Sequence, residues 1–172
     1  MLSTFFSLIL VVIQLGGFQN KIQLKAVVQH ETAEVETEEN SVYEWQVRIP
    51  KIGLIAPIKD GTNQEVLNEF VGHFEETEKQ KGNVGLAAHN RGYPVNYFEK
   101  INLLEIGDEI YYLYKGIEIK YVVSFKEIIE ETNWNYLNNT ENNRITLITC
   151  IENQPKYRLC VQAEEMKKDS IK

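Results

Sequence analysis

Three histidines, two cysteines and four arginines are the side chains in this sequence from which nucleophilic, metal or acid–base chemistry could be built. Both cysteines and two of the arginines fall in RITLITCIENQPKYRLCVQ, residues 144 to 161, where Cys150 ends one strand-like run and Arg158 stands just before Cys160 in the next. The stretch reads either as a reactive thiol with an attendant cation or as a small disulfide-stapled hairpin. A structural zinc site needs closely spaced ligand pairs; His73 with His89, and Cys150 with Cys160, are too far apart in sequence for one. No glycine-rich phosphate loop or dinucleotide fingerprint is present. Cysteine with histidine remains. Cys150 would have a rigid strand behind it and an open tip in front. His89 sits in a matching place in LAAHNRGY, where a small-residue strand breaks into a loop with Asn90 and Gly92. A lone histidine there is more often a surface or structural residue, so the case rests on the pair together with Arg158.

The elements that would hold these residues are mostly strands. VYEWQVRI alternates, GLIAPI follows a glycine break, NVGLAA is short and apolar, and EIYYLYKGIEIKYVVSF reads as two strands about Lys115 and Gly116; RITLITC and YRLCVQAE add two more. In RITLITC, Ile145, Leu147 and Thr149 fall on one face and Thr146, Ile148 and Cys150 on the other. Helices are few and short, over 64–70 and 95–101, with a turn of helix over 134–137. Short strands, edge-like prolines at Pro50 and Pro57 and turn residues between them predict a mostly β chain that folds as a closed or nearly closed barrel.

A hydrophobic content of 43% over 172 residues suffices for one packed domain with extensions and leaves no room for a second enzyme domain. The net charge of -7 is uneven: ETAEVETEEN (31–40) holds five glutamates and no cation, so the rest is near neutral. With no lysine or arginine cluster to displace counterions, nucleic acid is set aside as a partner. The N-terminus, MLSTFFSLILVVIQLGGFQNK, carries no charged side chain before Lys21. Its apolar run is at the lower limit of a spanning helix, roughly 17 to 25 residues, and longer than a signal-peptide core of about 7 to 15. Residues 1–20 are therefore expected to be an uncleaved signal anchor rather than a cleaved signal or a buried helix. The chain would cross the cell membrane once, with the remainder extracytoplasmic. Residues 21–42 read as an acidic, flexible stalk, 43–166 as the globular domain and 167–172 as a frayed tail. In an oxidising compartment the two cysteines could pair, so the disulfide reading stays open.

TLITC (146–150), AAHN (87–90) and YRLCV (157–161) resemble the three signature segments of sortases, the cysteine transpeptidases that attach proteins to the cell wall of Gram-positive bacteria. The resemblance runs from Ile49 to about Glu164, through IPKIGLIAPI, VGHF, GNVGLAAHN, LLEIGDEI and NWNYL in the family order. The short TCIENQPKYR connection looks like class D-like or class A-like members, and a pilin-type lid is not apparent ahead of the domain. The resemblance implies an eight-stranded barrel with Cys150 as nucleophile, His89 as acid/base and Arg158 as oxyanion stabiliser. Elementary chemistry is compatible with those roles. An unperturbed thiol is only ~3% ionised at neutral pH and a free imidazole is roughly a quarter protonated. Titrating independently, thiolate and imidazolium would coexist in just under about 1% of molecules, a slow but workable fraction, because the imidazolium can protonate a departing amine.

The reaction so implied is attack of Cys150 on the Thr–Gly bond of an LPxTG-like sorting signal in a secreted surface protein. The thioester would then pass its acyl group to an amine of a cell-wall precursor. Neither cofactor nor metal is required, and Glu75, Glu76 and Glu78 read as solvated loop residues. Thr149, Asn90, Trp134 and His73 are assigned to the substrate groove. Plainer readings stand beside three of them: a β-branched strand residue for Thr149, a core anchor for Trp134 and packing for His73. If the last two strands pair with Arg158 near Cys150, parity sets Cys160 opposite residue 148. It is then diagonal from Cys150 at about 7 to 8 Å, beyond easy disulfide reach, so a free structural Cys160 is expected. Two alternatives share these features: a cysteine peptidase whose thioester water resolves, and a catalytically inactive, membrane-tethered barrel that binds a partner.

Overall fold

The computed structural model describes residues 43–167. The expected anchor and stalk, and all but the first residue of the tail, lie outside the described residues. Among the described residues no helix is long and apolar enough to cross a membrane.

Eight strands form: β1 (Trp45–Ile49), β2 (Leu54–Asp60), β3 (Val71–His73), β4 (Asn83–Ala87), β5 (Glu109–Tyr114), β6 (Ile117–Glu130), β7 (Arg144–Cys150) and β8 (Tyr157–Glu165), with one short helix, α1 (Gln64–Leu67), between β2 and β3. They close into a barrel in the order β1-β2-β3-β4-β7-β8-β6-β5. The β2–β3 and β4–β7 pairs are parallel and the others antiparallel. The expected mostly β, closed eight-stranded barrel with few short helices is therefore what forms. Its interior is filled by alternate residues of each strand, among them Val47, Ile49, Leu86, Ile145 and Leu147, all fully buried. Pro57 pairs with Gln46 of β1, while pairing to β3 begins only at Ile58, so one side of β2 is open at the residue that lacks a donor.

Two expectations about elements are corrected, and one strand was not expected. The helix over 95–101 is absent: Asn96 bonds both the N–H and the carbonyl of Tyr93, Phe98 N donates to His89 O (3.0 Å), and only a short 3₁₀ turn follows at Ile101–Leu103. A local side-chain bond thus competes with the helix. β6 continues past Phe125 to Glu130, because a register shift between Val123 and Phe125 lets its charged second half pair with β8 as far as Tyr157. β3, only three residues long, carries too little pattern to be read from sequence.

Outside the barrel, the segment after β6 covers β4, β7 and β8. Its 3₁₀ turn, Trp134–Leu137, is where the sequence places a turn of helix. Polar side chains of the strands fix this segment: Asn83 Nδ2 donates to Tyr136 O (2.8 Å) and Asn138 O (3.0 Å), and Gln162 Nε2 donates to Tyr136 O (3.0 Å). Thr146 completes the network by donating to Asn83 Oδ1 (2.7 Å). Gly85 makes the close approach possible, since a Cβ there would meet Leu137 Cδ2 at 2.8 Å and Phe74 Cδ2 at 3.1 Å.

Candidate active site

β4 and β7 run parallel, so their C-terminal ends lie side by side, and the last ladder pair sets Ala87 beside Ile148. Two further residues along both chains are His89 and Cys150. Beyond the ladder side chains take over: Thr149 Oγ1 donates to Ala88 O (2.7 Å), and Asn90 Nδ2 donates to Cys150 O (2.6 Å). These bonds grip the chain on both sides of His89. On the far side of β7 the antiparallel β8 sets Arg158 directly opposite Cys150. Three neighbouring strands thus bring Cys150, His89 and Arg158 to the wall of one cleft of about 420 Å³.

The register also separates the two thiols. Cys150 is exposed, whereas Cys160 lies opposite Ile148, fully buried, and both are free. Cys160 packs with Ile129 and Ile148 beneath Leu137 and Tyr136. Burial there pushes its thiol up to about 12. The disulfide-stapled hairpin is therefore not what the chain builds. Iodoacetamide at neutral pH is expected to label the native chain once, at Cys150, with a second label only after denaturation. Two labels gained at similar rates by the native chain, counted by intact mass, would contradict that burial.

His89 is 8% exposed. The Tyr93 ring stacks on it with centroids 3.5 Å apart and planes 8° from parallel, and Gln64 Nε2 lies 3.3 Å from its Nε2. Burial lowers the imidazole pKa from its ordinary 6.5. The consequence for rate has a definite sign. A cysteine–histidine pair is active with one proton shared between the two groups, and acid adds a second proton to silence it. A lowered imidazole pKa moves that acid limb downward. The acid-limb midpoint of kcat/KM for peptide cleavage is expected below pH 6.5, and a midpoint at or above 6.5 would contradict this account of His89.

Arg158 is anchored rather than free. Its Nη1 donates to Pro155 O (2.7 Å) and Tyr157 O (2.8 Å), and its Nη2 donates to Glu131 Oε2 (3.0 Å). The Glu131 pair is partly solvent-exposed, and such pairs contribute at most about 1 kcal/mol; its effect is on orientation. A guanidinium has five N–H donors, so two are left unengaged by these three bonds.

Of the other assigned residues, Thr149 and Trp134 line this cleft, and Trp134 is 60% exposed rather than a core anchor. Asn90 holds the Cys150 carbonyl and lines a second cavity of about 690 Å³ that meets the first at Thr149 and Cys150. In that cavity an Arg91–Glu152 ion pair joins the loop after His89 to the loop after Cys150. His73 does not line the cleft, and its assignment to the groove is corrected. It is fully buried, with Nδ1 2.9 Å from Asp60 Oδ1 across the β2–β3 ladder and Nε2 3.1 Å from both Glu78 O and Thr77 Oγ1. Burial works to raise the Asp60 carboxyl, yet hydrogen bonds from Lys79 and His73 hold it below its ordinary range. Gln64, Tyr93 and Glu131 were not legible as site residues. Tyr93 follows His89 closely in a loop, a usable signal, whereas Gln64 and Glu131 reach their partners only through the fold.

Similarity to known proteins agrees with this fold. A sortase-domain family model matches residues 47–166. Sortase A of Bacillus anthracis is 29% identical over 116 residues, 65% of this chain and 55% of that protein, so the chain spans little more than half the length of that relative. Among solved structures, sortase C-1 from Actinomyces oris is similar with a TM-score of 0.68 at 27% identity, over 72% of this chain and 74% of that one. A lid mutant of sortase A from Corynebacterium diphtheriae has a TM-score of 0.68 at 24% identity, over 73% and 71% of the two chains, a likeness of fold.

Proposed function

The chain belongs to the sortase family, and from that premise we propose that it is a cysteine transpeptidase acting on an LPxTG-like sorting signal. The observation that carries the proposal is the convergence of Cys150, His89 and Arg158 on one cleft from the ends of β7, β4 and β8. In this reading the Cys150 thiol gives its proton to His89 and the sulfur attacks the carbonyl carbon of the signal's threonine. The two unengaged donors of Arg158 meet the oxygen as it becomes an oxyanion. Collapse breaks the Thr–Gly bond, the glycine amine leaves with the proton from His89, and an acyl thioester remains on Cys150. A cell-wall precursor amine then attacks the thioester carbonyl and passes its proton to His89, and the sulfur is expelled. The second cavity at Cys150 supports a route for that amine while the acyl group is still bound. The mostly apolar run from Leu2 to Phe18 supports single-pass anchoring in the cell membrane, with the catalytic domain extracytoplasmic.

Product identity tests the proposal. The full-length chain in mild detergent, given an LPxTG-like peptide with a glycine oligomer or a diamino-acid amine, is expected to yield amine-linked product by mass spectrometry. Acid product alone would make it a hydrolase, and an untouched peptide would leave a binding barrel.

A further inference from the structure

We infer that Gln64 is a positioning residue for the reaction: its side-chain amide donates to Nε2 of His89, so the resting imidazole carries its proton on Nδ1. The amide must then turn before the ring takes a second proton. The inference rests on the transpeptidase reading and deepens it.

Valence sets the direction of the bond. A carboxamide nitrogen only donates, so the imidazole nitrogen 3.3 Å from Gln64 Nε2 must accept, and a neutral imidazole has one accepting nitrogen. Asn68 decides which end of the amide faces the ring. Gln64 Nε2 also donates to Asn68 Oδ1 (2.8 Å), and exchanging the ends would set Gln64 Oε1 against that oxygen. The start of α1 is itself held, since Asn63 Oδ1 accepts from Val66 N (3.0 Å). Tyr93 fixes the plane of the imidazole by lying flat on it, and Asn96 grips Tyr93 through both its N–H and its carbonyl. Gly92, at φ 77°, supplies the left-handed residue just before Tyr93. With the plane set by Tyr93, the Gln64 bond sets rotation within it.

The bond has a chemical consequence. A donor aimed at the lone pair favours the neutral ring, the same direction in which burial moves His89. The titratable and charged groups around the ring are Tyr93 on its face, Cys150, Arg158, and Glu130 and Glu131 across the cleft; among the described residues none of them has a hydrogen bond or ion pair with the imidazole. Arg158 is paired with Glu131, and Arg91 with Glu152. When the Cys150 S–H bond breaks and its proton reaches the ring, both nitrogens carry hydrogen, and an amide N–H no longer fits against Nε2. The Asn68 side chain makes no other hydrogen bond among the described residues, so the two amides are free to turn together. Gln64 Oε1 then accepts from His89 Nε2 and from Asn68 Nδ2. The pair of amides serves both charge states, donating to the neutral ring and accepting from the cation.

The test is heteronuclear NMR of isotope-labelled histidine rings in the full-length chain, in mild detergent, with His89 assigned by its loss in His89→Asn. No peptide is needed. In the neutral ring the unprotonated nitrogen is expected to be Nε2. Gln64→Glu, whose carboxylate only accepts, should raise the His89 protonation constant about tenfold, the low end of what a neighbouring opposite charge does. Gln64→Ala, which removes the donor and adds no charge, should raise it by less and spread the unprotonated character to Nδ1. In peptide cleavage, the acid-limb midpoint of kcat/KM should move up with the NMR midpoint in Gln64→Glu. Gln64 is exposed, so both substitutions are expected to leave the thermal midpoint unchanged. A neutral ring of the unsubstituted chain with its proton on Nε2, or a tautomer and midpoint that Gln64→Ala leaves as they were, would overturn the inference. The two readouts separate the failures. The expected tautomer and midpoints without any cleavage would sink the transpeptidase and keep the bond, whereas cleavage by a chain whose neutral His89 is protonated on Nε2 would do the reverse.

Discussion

Cys150→Ala is expected to abolish peptide cleavage, with a loss in kcat on the order of 10⁶, the scale of removing the nucleophile from a protease. The side chain is exposed at the last residue of β7, so its truncation leaves no cavity and should shift stability by less than about 0.5 kcal/mol. An unchanged thermal midpoint beside lost turnover would therefore locate the effect in chemistry. His89→Ala should cost nearly as much, and the double substitution little more than either alone, because a thiol and its proton acceptor act as a unit. Additive losses would mean that the two residues do not work on the same step. Cleavage persisting in Cys150→Ala would remove the nucleophile altogether, since Cys160 is buried beneath the segment after β6.

Arg158→Ala is expected to lower kcat by about 10² to 10³, the usual loss when one donor to an oxyanion is deleted. KM should move less, because the oxygen carries its full charge only in the transition state. Arg158→Lys should fall between alanine and the unsubstituted chain. A lysine restores the charge, but with three donors it cannot donate to Pro155, Tyr157 and Glu131 and still have any left for an oxyanion. Activity of Arg158→Ala equal to that of the unsubstituted chain would remove the role.

What could be read from the sequence follows from which interactions are local. Alternation in RITLITC gave both faces of β7, and with Arg158 taken to lie near Cys150, as the family resemblance implies, parity set Cys160 against Ile148, the register that forms. Strand ends marked by small or turn residues located His89 and Cys150, because such breaks are written in neighbouring residues. The helix over 95–101 failed where Asn96 bonds back to Tyr93, a choice that propensity does not encode. The second half of β6 owes its strand to β8, and neither the Gln64 contact to His89 nor the Glu131 contact to Arg158 has a sequence signal, since each joins residues distant along the chain. His73 was assigned to the groove from the place of VGHF in the family order; its bond to Asp60 crosses the ladder to β3, a strand only three residues long, and has no sequence signal.

The central claim is that Cys150 carries the acyl group. The most direct measurement is the intact mass of the full-length chain, acid-quenched during reaction with an LPxTG-like peptide in the absence of amine. The account predicts an added mass equal to the peptide's acyl fragment, removable by hydroxylamine, and mapped by proteolysis to the segment bearing Cys150. Peptide cleavage with no adduct under any quench time, or an adduct on Cys160, would contradict it.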